Sequence, residues 1–326
     1  MPSWNELLNE FNATDPADRG TWLNTQMVSS LGAIRAKRGN RNVLFYGSAF
    51  LQKPQAPAPL ISIQPEDLNG FMSVMHGMNW SSGLTLLLHT PGGSPTAAET
   101  IVEYLRSKFT DMEVIVPTYA MSAGTMISLA ADRLVMGRQS QLGPIDPQFI
   151  GGSRPVSARG IVDQFKIAKD EILANQKAAH AWHPILQSMG PALLQDAQNA
   201  LDYGEAMVAR WLANHMLKAN ATATADGKRI ASHFNDASTH KSHGRRIGRD
   251  EARQVGLIVE DLEADQDLQE AVLTAYHLLT LVIEQGPAAK VITSDAGRIF
   301  VKNWTQPQQG VVQFLQPPVL QPSSPP

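Results

Sequence analysis

The sequence predicts an α/β fold built around a parallel sheet. Between residues 84 and 137 strand and helix alternate, and the turns between them are short. Such strand–helix–strand runs form right-handed crossovers between parallel strands. The first run, Leu84-Thr85-Leu86-Leu87-Leu88-His89, is apolar almost throughout, as in a strand covered on both faces.

Taken in order, residues 1–40 read as helical, with Leu7, Leu8, Phe11, Trp22, Met27 and Leu31 as the apolar positions. Asn42 to Gly47 reads as a strand, and the three prolines between Gln52 and Pro59 mark a loop. Pro65-Glu66-Asp67 opens a helix whose first turn is acidic, which suits its dipole. The 84–89 strand ends on Thr90-Pro91-Gly92-Gly93-Ser94-Pro95. Ser94 is placed to cap the next helix, and Pro95 fits its first turn. That helix aligns Ala98, Ile101, Val102, Leu105 and Phe109 on one face. Glu113 to Pro117 is a second strand, Ser122 to Ala131 a helix, and Arg133 to Gly137 a third strand. Beyond residue 157 the chain reads as mostly helical, with helices around 161–172, 191–218, 250–255 and 268–284, and a strand at Leu257-Ile258-Val259. Residues 220–248 are polar and rich in Gly, Ser and His, so they read as a loop. The Pro- and Gln-rich residues 306–326 read as a disordered tail.

Composition excludes several functions. The 326 residues are 43% hydrophobic and 17% charged, enough apolar material for a sizeable core. A net charge of −3 makes no case for nucleic acid or an anionic membrane surface. The basic run Arg35 to Arg41 is short and reads as a solvated surface segment. Without cysteine there is no disulfide, thiolate metal site or cysteine nucleophile. No apolar stretch reaches the roughly 18 residues of a membrane span, and the N-terminus lacks the pattern of a signal peptide. A cytoplasmic protein is expected.

Two turns carry the chemistry. Pro91-Gly92-Gly93 and Tyr119-Ala120-Met121-Ser122-Ala123-Gly124 both follow strands of the parallel set, at the edge where α/β sheets form their sites. Acyl transfer needs a nucleophile beside a base, and N–H donors aimed at the developing oxyanion. Ser122 at a helix start has free N–H groups near it, and those of Gly93 and Ala123 are an oxyanion pair in the making. Spacing alone also allows a tight Gly-Gly turn and a Ser122 that only caps its helix.

The motifs resemble a known group. His89-Thr90-Pro91-Gly92-Gly93 followed by Ala120-Met121-Ser122-Ala123-Gly124 is similar to the Clp protease and signal peptide peptidase A group. The fuller string Met121 to Met126, with Ser140-Gln141-Leu142-Gly143-Pro144-Ile145-Asp146-Pro147-Gln148, is closer still to the serine dehydrogenase proteinase family, a distant Clp relative. The resemblance covers roughly residues 80–260. It implies a Clp/crotonase-like superhelix of ββα units with a parallel sheet. A helical segment (1–40) would precede the catalytic domain (41–262), and a helical extension (263–305) would follow it. It also implies a serine endopeptidase with Ser122 as nucleophile and Gly92, Gly93 and Ala123 around the oxyanion.

In the Clp pattern a histidine follows the serine, and an aspartate comes much later. Here Asp146 stands at the earlier position. Glu251-Ala252-Arg253-Gln254-Val255-Gly256-Leu257 resembles the Clp segment Glu-Ala-x-x-x-Gly-Leu, and counting back from it places the later position at or near His240, with His243 three residues on. The resemblance therefore implies Ser122, Asp146 and His240, with acid and base exchanged, as in the triad order of the serine dehydrogenase proteinases. A triad is defined by geometry, not by chain order. The alternative base is a lysine, as in signal peptide peptidases. Lys166, Lys169 and Lys177 lie in the right window, and such a base must be desolvated.

No metal, nucleotide or organic cofactor is expected. There is no G-x-G-x-x-G after a strand, and His233, His240 and His243 read as histidines of a polar loop rather than a metal site. Peptide or protein substrates and a homo-oligomer are implied, with any unfoldase or adaptor unidentified. Two further alternatives stay open: crotonase-like acyl-CoA chemistry, and a non-catalytic assembly protein of the same fold.

Overall fold

A computed structural model describes residues 4–151, 154–190 and 192–306. From residue 307 on, the expected Pro/Gln-rich tail lies outside the described residues. The strands are β1 (Asn42–Ser48), β2 (Leu84–His89), β3 (Met112–Val116), β4 (Tyr119–Ala120), β5 (Arg133–Met136), β6 (Gln141–Leu142), β7 (Gln148–Gly151), β8 (Arg154–Ser157), β9 (Val259–Asp261), β10 (Ala288–Ser294) and β11 (Ile299–Asn303). Seven of them form one sheet in the order β11-β10-β1-β2-β3-β5-β9. From β1 to β9 all neighbours are parallel, whereas β10 and β11 add on antiparallel. The α/β fold that the sequence predicts is thus present, with a mostly parallel sheet and many helices.

Both faces of the sheet are covered, which is why its strands lack polar alternation. Val43, Phe45, Leu87, Ile115 and Val135 point to one side, where the helices Arg19–Lys37 and Gln266–Gln285 lie. Leu44, Tyr46, Leu86, Leu88, Val114, Leu134 and Met136 point to the other, among Pro95–Lys108, Ala123–Leu129, Leu193–Asn214 and Ala223–Asn235. Ser94 caps the helix Pro95–Lys108 as expected, its Oγ accepting from the Ala97 N–H at 3.2 Å.

Three expectations change. Residues 220–248 are not one loop: they contain the helices Ala223–Asn235 and Ala237–His240. The buried face of the first is Gly227, Ile230, Ala231 and Phe234. Gly227 is needed there because an added Cβ would sit 2.7 Å from the Ala209 carbonyl oxygen of the neighbouring helix. A helix whose contact face begins on glycine reads as a breaker in sequence. The basic run is not a solvated segment either. Arg38 and Arg133 both reach the fully buried Glu113, Arg41 pairs with Asp111, and Arg35 bonds Asp295 at 2.7 Å. Finally, the segment after residue 263 is helical only in part. Its strand β10 lies beside β1, and all seven of its residues are buried.

Candidate active site

The glycine turn and the serine turn are laced together by backbone. Thr90 N–H donates to the Tyr119 carbonyl at 2.9 Å, and Met121 N–H donates back to the Thr90 carbonyl at 3.1 Å. Gly92 sits directly over the serine. A Cβ added there would lie 2.6 Å from the Ser122 Cβ and 2.7 Å from the Met121 oxygen, and φ at Gly92 is +103°. Only glycine allows this approach. Gly93, at φ +151°, is pressed against Ile63 in the same way, while the Ile63 N–H donates to the Gly92 carbonyl and the Ser94 N–H to the Ile63 carbonyl.

Ser122 has φ 52° and ψ −118°. That is the first position of a type II′ turn, which glycine fills without strain and serine does not. The strain sits at the strand-to-helix step, where β4 passes into Ala123–Leu129. Elbows that present a nucleophile have this construction. The Ser122 side chain makes no capping bond and is half-buried, so its hydroxyl is left for other work. Among the described residues, the N–H groups of Gly93 and Ala123 have no protein acceptor. The N–H of Gly92 does have one, donating to Thr90 Oγ1 at 3.2 Å. Gly92 thus contributes shape rather than a free donor.

Asp146 reaches the site through a second lacing. Thr125 Oγ1 donates to the Ala120 carbonyl at 2.7 Å and accepts from the Gly143 N–H at 2.9 Å. Leu142 bridges Ile247 antiparallel, and the Ile145 N–H donates to the Phe234 carbonyl. The chain between Gly143 and Asp146 therefore runs from the elbow to the segment around residue 240. Asp146 is buried, and its two oxygens are used separately. Gln148 Nε2 donates to Oδ2 at 2.6 Å, and His243 Nδ1 lies 2.8 Å from Oδ1.

Chain counting points to His240 as the partner of Asp146; the structure brings His243 there instead. His240 is buried on another side, with Nε2 at 2.7 Å from the His233 carbonyl and Nδ1 at 2.8 Å from Arg245. Lys241 takes a left-handed φ of 64° and reverses the chain, which swings His243 toward the carboxylate. With Nδ1–H donating to Asp146, the His243 Nε2 carries the lone pair, the tautomer a general base needs. The alternative lysines Lys166, Lys169 and Lys177 are all exposed, so nothing desolvates them.

Sequence reasoning assigns no catalytic role to Thr90 or Thr125. Both act through short-range bonds that spacing alone does not reveal. His89 is buried under Phe50, Tyr119 and Tyr276, with Nδ1 on the Thr118 hydroxyl at 2.8 Å. Burial pushes its pKa down to about 3, which makes it a neutral packing histidine behind the site.

Residues 66–178 match the family described as ClpP-like SDH-type serine proteinase. Two uncharacterised proteins of Methanocaldococcus jannaschii are similar. One is 41% identical over 84 residues, which is 26% of this chain and 29% of that protein. The other is 45% identical over 66 residues, 20% of this chain and 23% of that protein. The match thus spans less than a third of either relative's length. Among solved structures, a mutant of the 1510-N membrane-bound stomatin-specific protease is 17% identical with a TM-score of 0.35, covering 61% of this chain and 75% of that one. Among the described residues no helix is long and apolar enough to cross a membrane. The stretch that is similar to the ClpP-like SDH-type serine proteinases holds the glycine turn, Ser122 and Asp146.

Proposed function

We propose that this protein is a serine endopeptidase working through an acyl-enzyme on Ser122. The reading is carried by the strained turn at Ser122 with Gly92 pressed against it. Ser122 Oγ attacks the scissile carbonyl while its proton passes to His243 Nε2. Asp146 holds Nδ1–H and stabilises the imidazolium that forms. The N–H groups of Gly93 and Ala123 take the oxyanion. The imidazolium then protonates the leaving amine; the same nitrogen next takes a proton from the attacking water and returns it to Ser122 Oγ as the acid product leaves. His243 replaces His240 as base in this scheme because His243 is the one bonded to Asp146.

Substrates are unstructured protein segments bound as extended strands, and the working unit is a cytoplasmic homo-oligomer. The test is incubation with an unstructured protein and identification of new chain ends by mass spectrometry. New ends should form with the wild type and not with Ser122→Ala. Cleavage that survives Ser122→Ala, or coenzyme A thioester turnover without cleavage, contradicts the proposal.

A further inference from the structure

A second group of side chains lies beside the His243 loop and takes no part in the scheme above. His233, His240 and Glu251 each bring one ligand atom to a common point, all within 4.8 Å of one another. They come from the helices Ala223–Asn235, Ala237–His240 and Arg249–Val255, the elements on either side of that loop. His240 is already oriented. Its Nε2–H donates to the His233 carbonyl, which leaves the Nδ1 lone pair facing the centre of the group. Arg245 fills that centre. Its Nη1 lies 2.8 Å from His240 Nδ1 and 2.7 Å from Glu251 Oε1. The guanidinium serves only two of the three donors. His233 Nε2 is buried without any hydrogen-bond partner, 3.9 Å from Glu251 Oε1. A buried nitrogen left unsatisfied beside a place already held by a cation asks for a cation that reaches all three.

We propose that His233, His240 and Glu251 form a binding site for a divalent metal of the zinc class, which displaces the Arg245 side chain. Two imidazoles and one carboxylate suit zinc, cobalt or nickel, whereas magnesium and calcium prefer oxygen donors alone. Arg245 can leave, since its side chain is 37% exposed. The bound ion would tie together the elements flanking His243, but its binding needs neither Ser122 nor peptidase activity.

The experiment is a zinc titration of the full chain against a chromogenic chelator, with thermal unfolding followed in parallel. Wild type should bind one zinc per chain and melt at a higher temperature with zinc than without. His233→Ala should weaken binding by about tenfold or more. Arg245→Ala should tighten it by about tenfold, because the competing cation is gone; a misfolded variant cannot produce that gain. Magnesium should have no effect. Absence of zinc binding in both wild type and Arg245→Ala overturns the proposal, as does an affinity that His233→Ala leaves unchanged.

Discussion

At Ser122, backbone strain falls on the residue proposed as nucleophile. The conformation at φ 52° and ψ −118° costs a serine on the order of 1–3 kcal/mol. Ser122→Gly should therefore raise the unfolding free energy by about 1 kcal/mol while abolishing cleavage, as denaturant titration and a peptidase assay would show. Gly92→Ala should fail in both respects, because its Cβ would strike the Ser122 Cβ and the Met121 oxygen, and Met121 is held by its own backbone bond to Thr90. His89 supplies a pH prediction. Burial holds its folded pKa at about 3, below the ordinary value of 6.5, so the unfolded chain takes up the proton first. Its contribution to stability is full above pH 6.5 and is lost as pH falls toward 3. Between pH 7 and pH 5 that loss is about 2 kcal/mol, and His89→Gln should flatten this part of the stability curve.

At the scale of elements, much was legible. The strands β1, β2, β3 and β5 announce themselves as apolar runs, and Ser94-Pro95 marks a helix start. Two glycines and a serine at the ends of neighbouring strands give the site. What escaped the sequence had physical reasons. The helix Ala223–Asn235 hides because the residue that must touch Ala209 has to be glycine. Strand β10 hides because it contains Lys290, a charge that only a partner far along the chain makes tolerable in the interior. The choice between His240 and His243 hangs on a single left-handed residue, Lys241, which no spacing rule anticipates. The elements make a clear prediction. On the proposed mechanism His243→Ala should lower kcat by about a thousandfold or more, whereas His240→Ala should leave the Asp146–His243 bond in place. A peptidase assay on both variants, with circular dichroism to confirm folding, decides the point.

On the scale of the whole molecule, β10 supports the glycine turn from a distance. Lys290 on β10 bonds both Asp67 oxygens, at 2.7 and 2.9 Å, and the Ser62 carbonyl at 2.6 Å. Tyr46 OH and the Gln64 N–H also donate to Asp67, and the intervening Ile63 holds Gly92 and Ser94 through its backbone. Residues from β1, the 62–67 segment and β10 thus meet in one buried cluster that anchors the glycine turn. Lys290→Met would leave the Asp67 carboxylate uncompensated in the interior. It should cost about 3–5 kcal/mol in a denaturant titration.

The peptidase reading itself turns on whether the Ser122 hydroxyl is activated by His243. Labelling with a fluorophosphonate, with the modified residue located by mass spectrometry, measures this directly. The label should fall on Ser122 in the wild type, persist in His240→Ala and disappear in His243→Ala and Asp146→Ala. A wild-type chain that takes no label, or a label that survives loss of His243 but not loss of His240, would contradict the account.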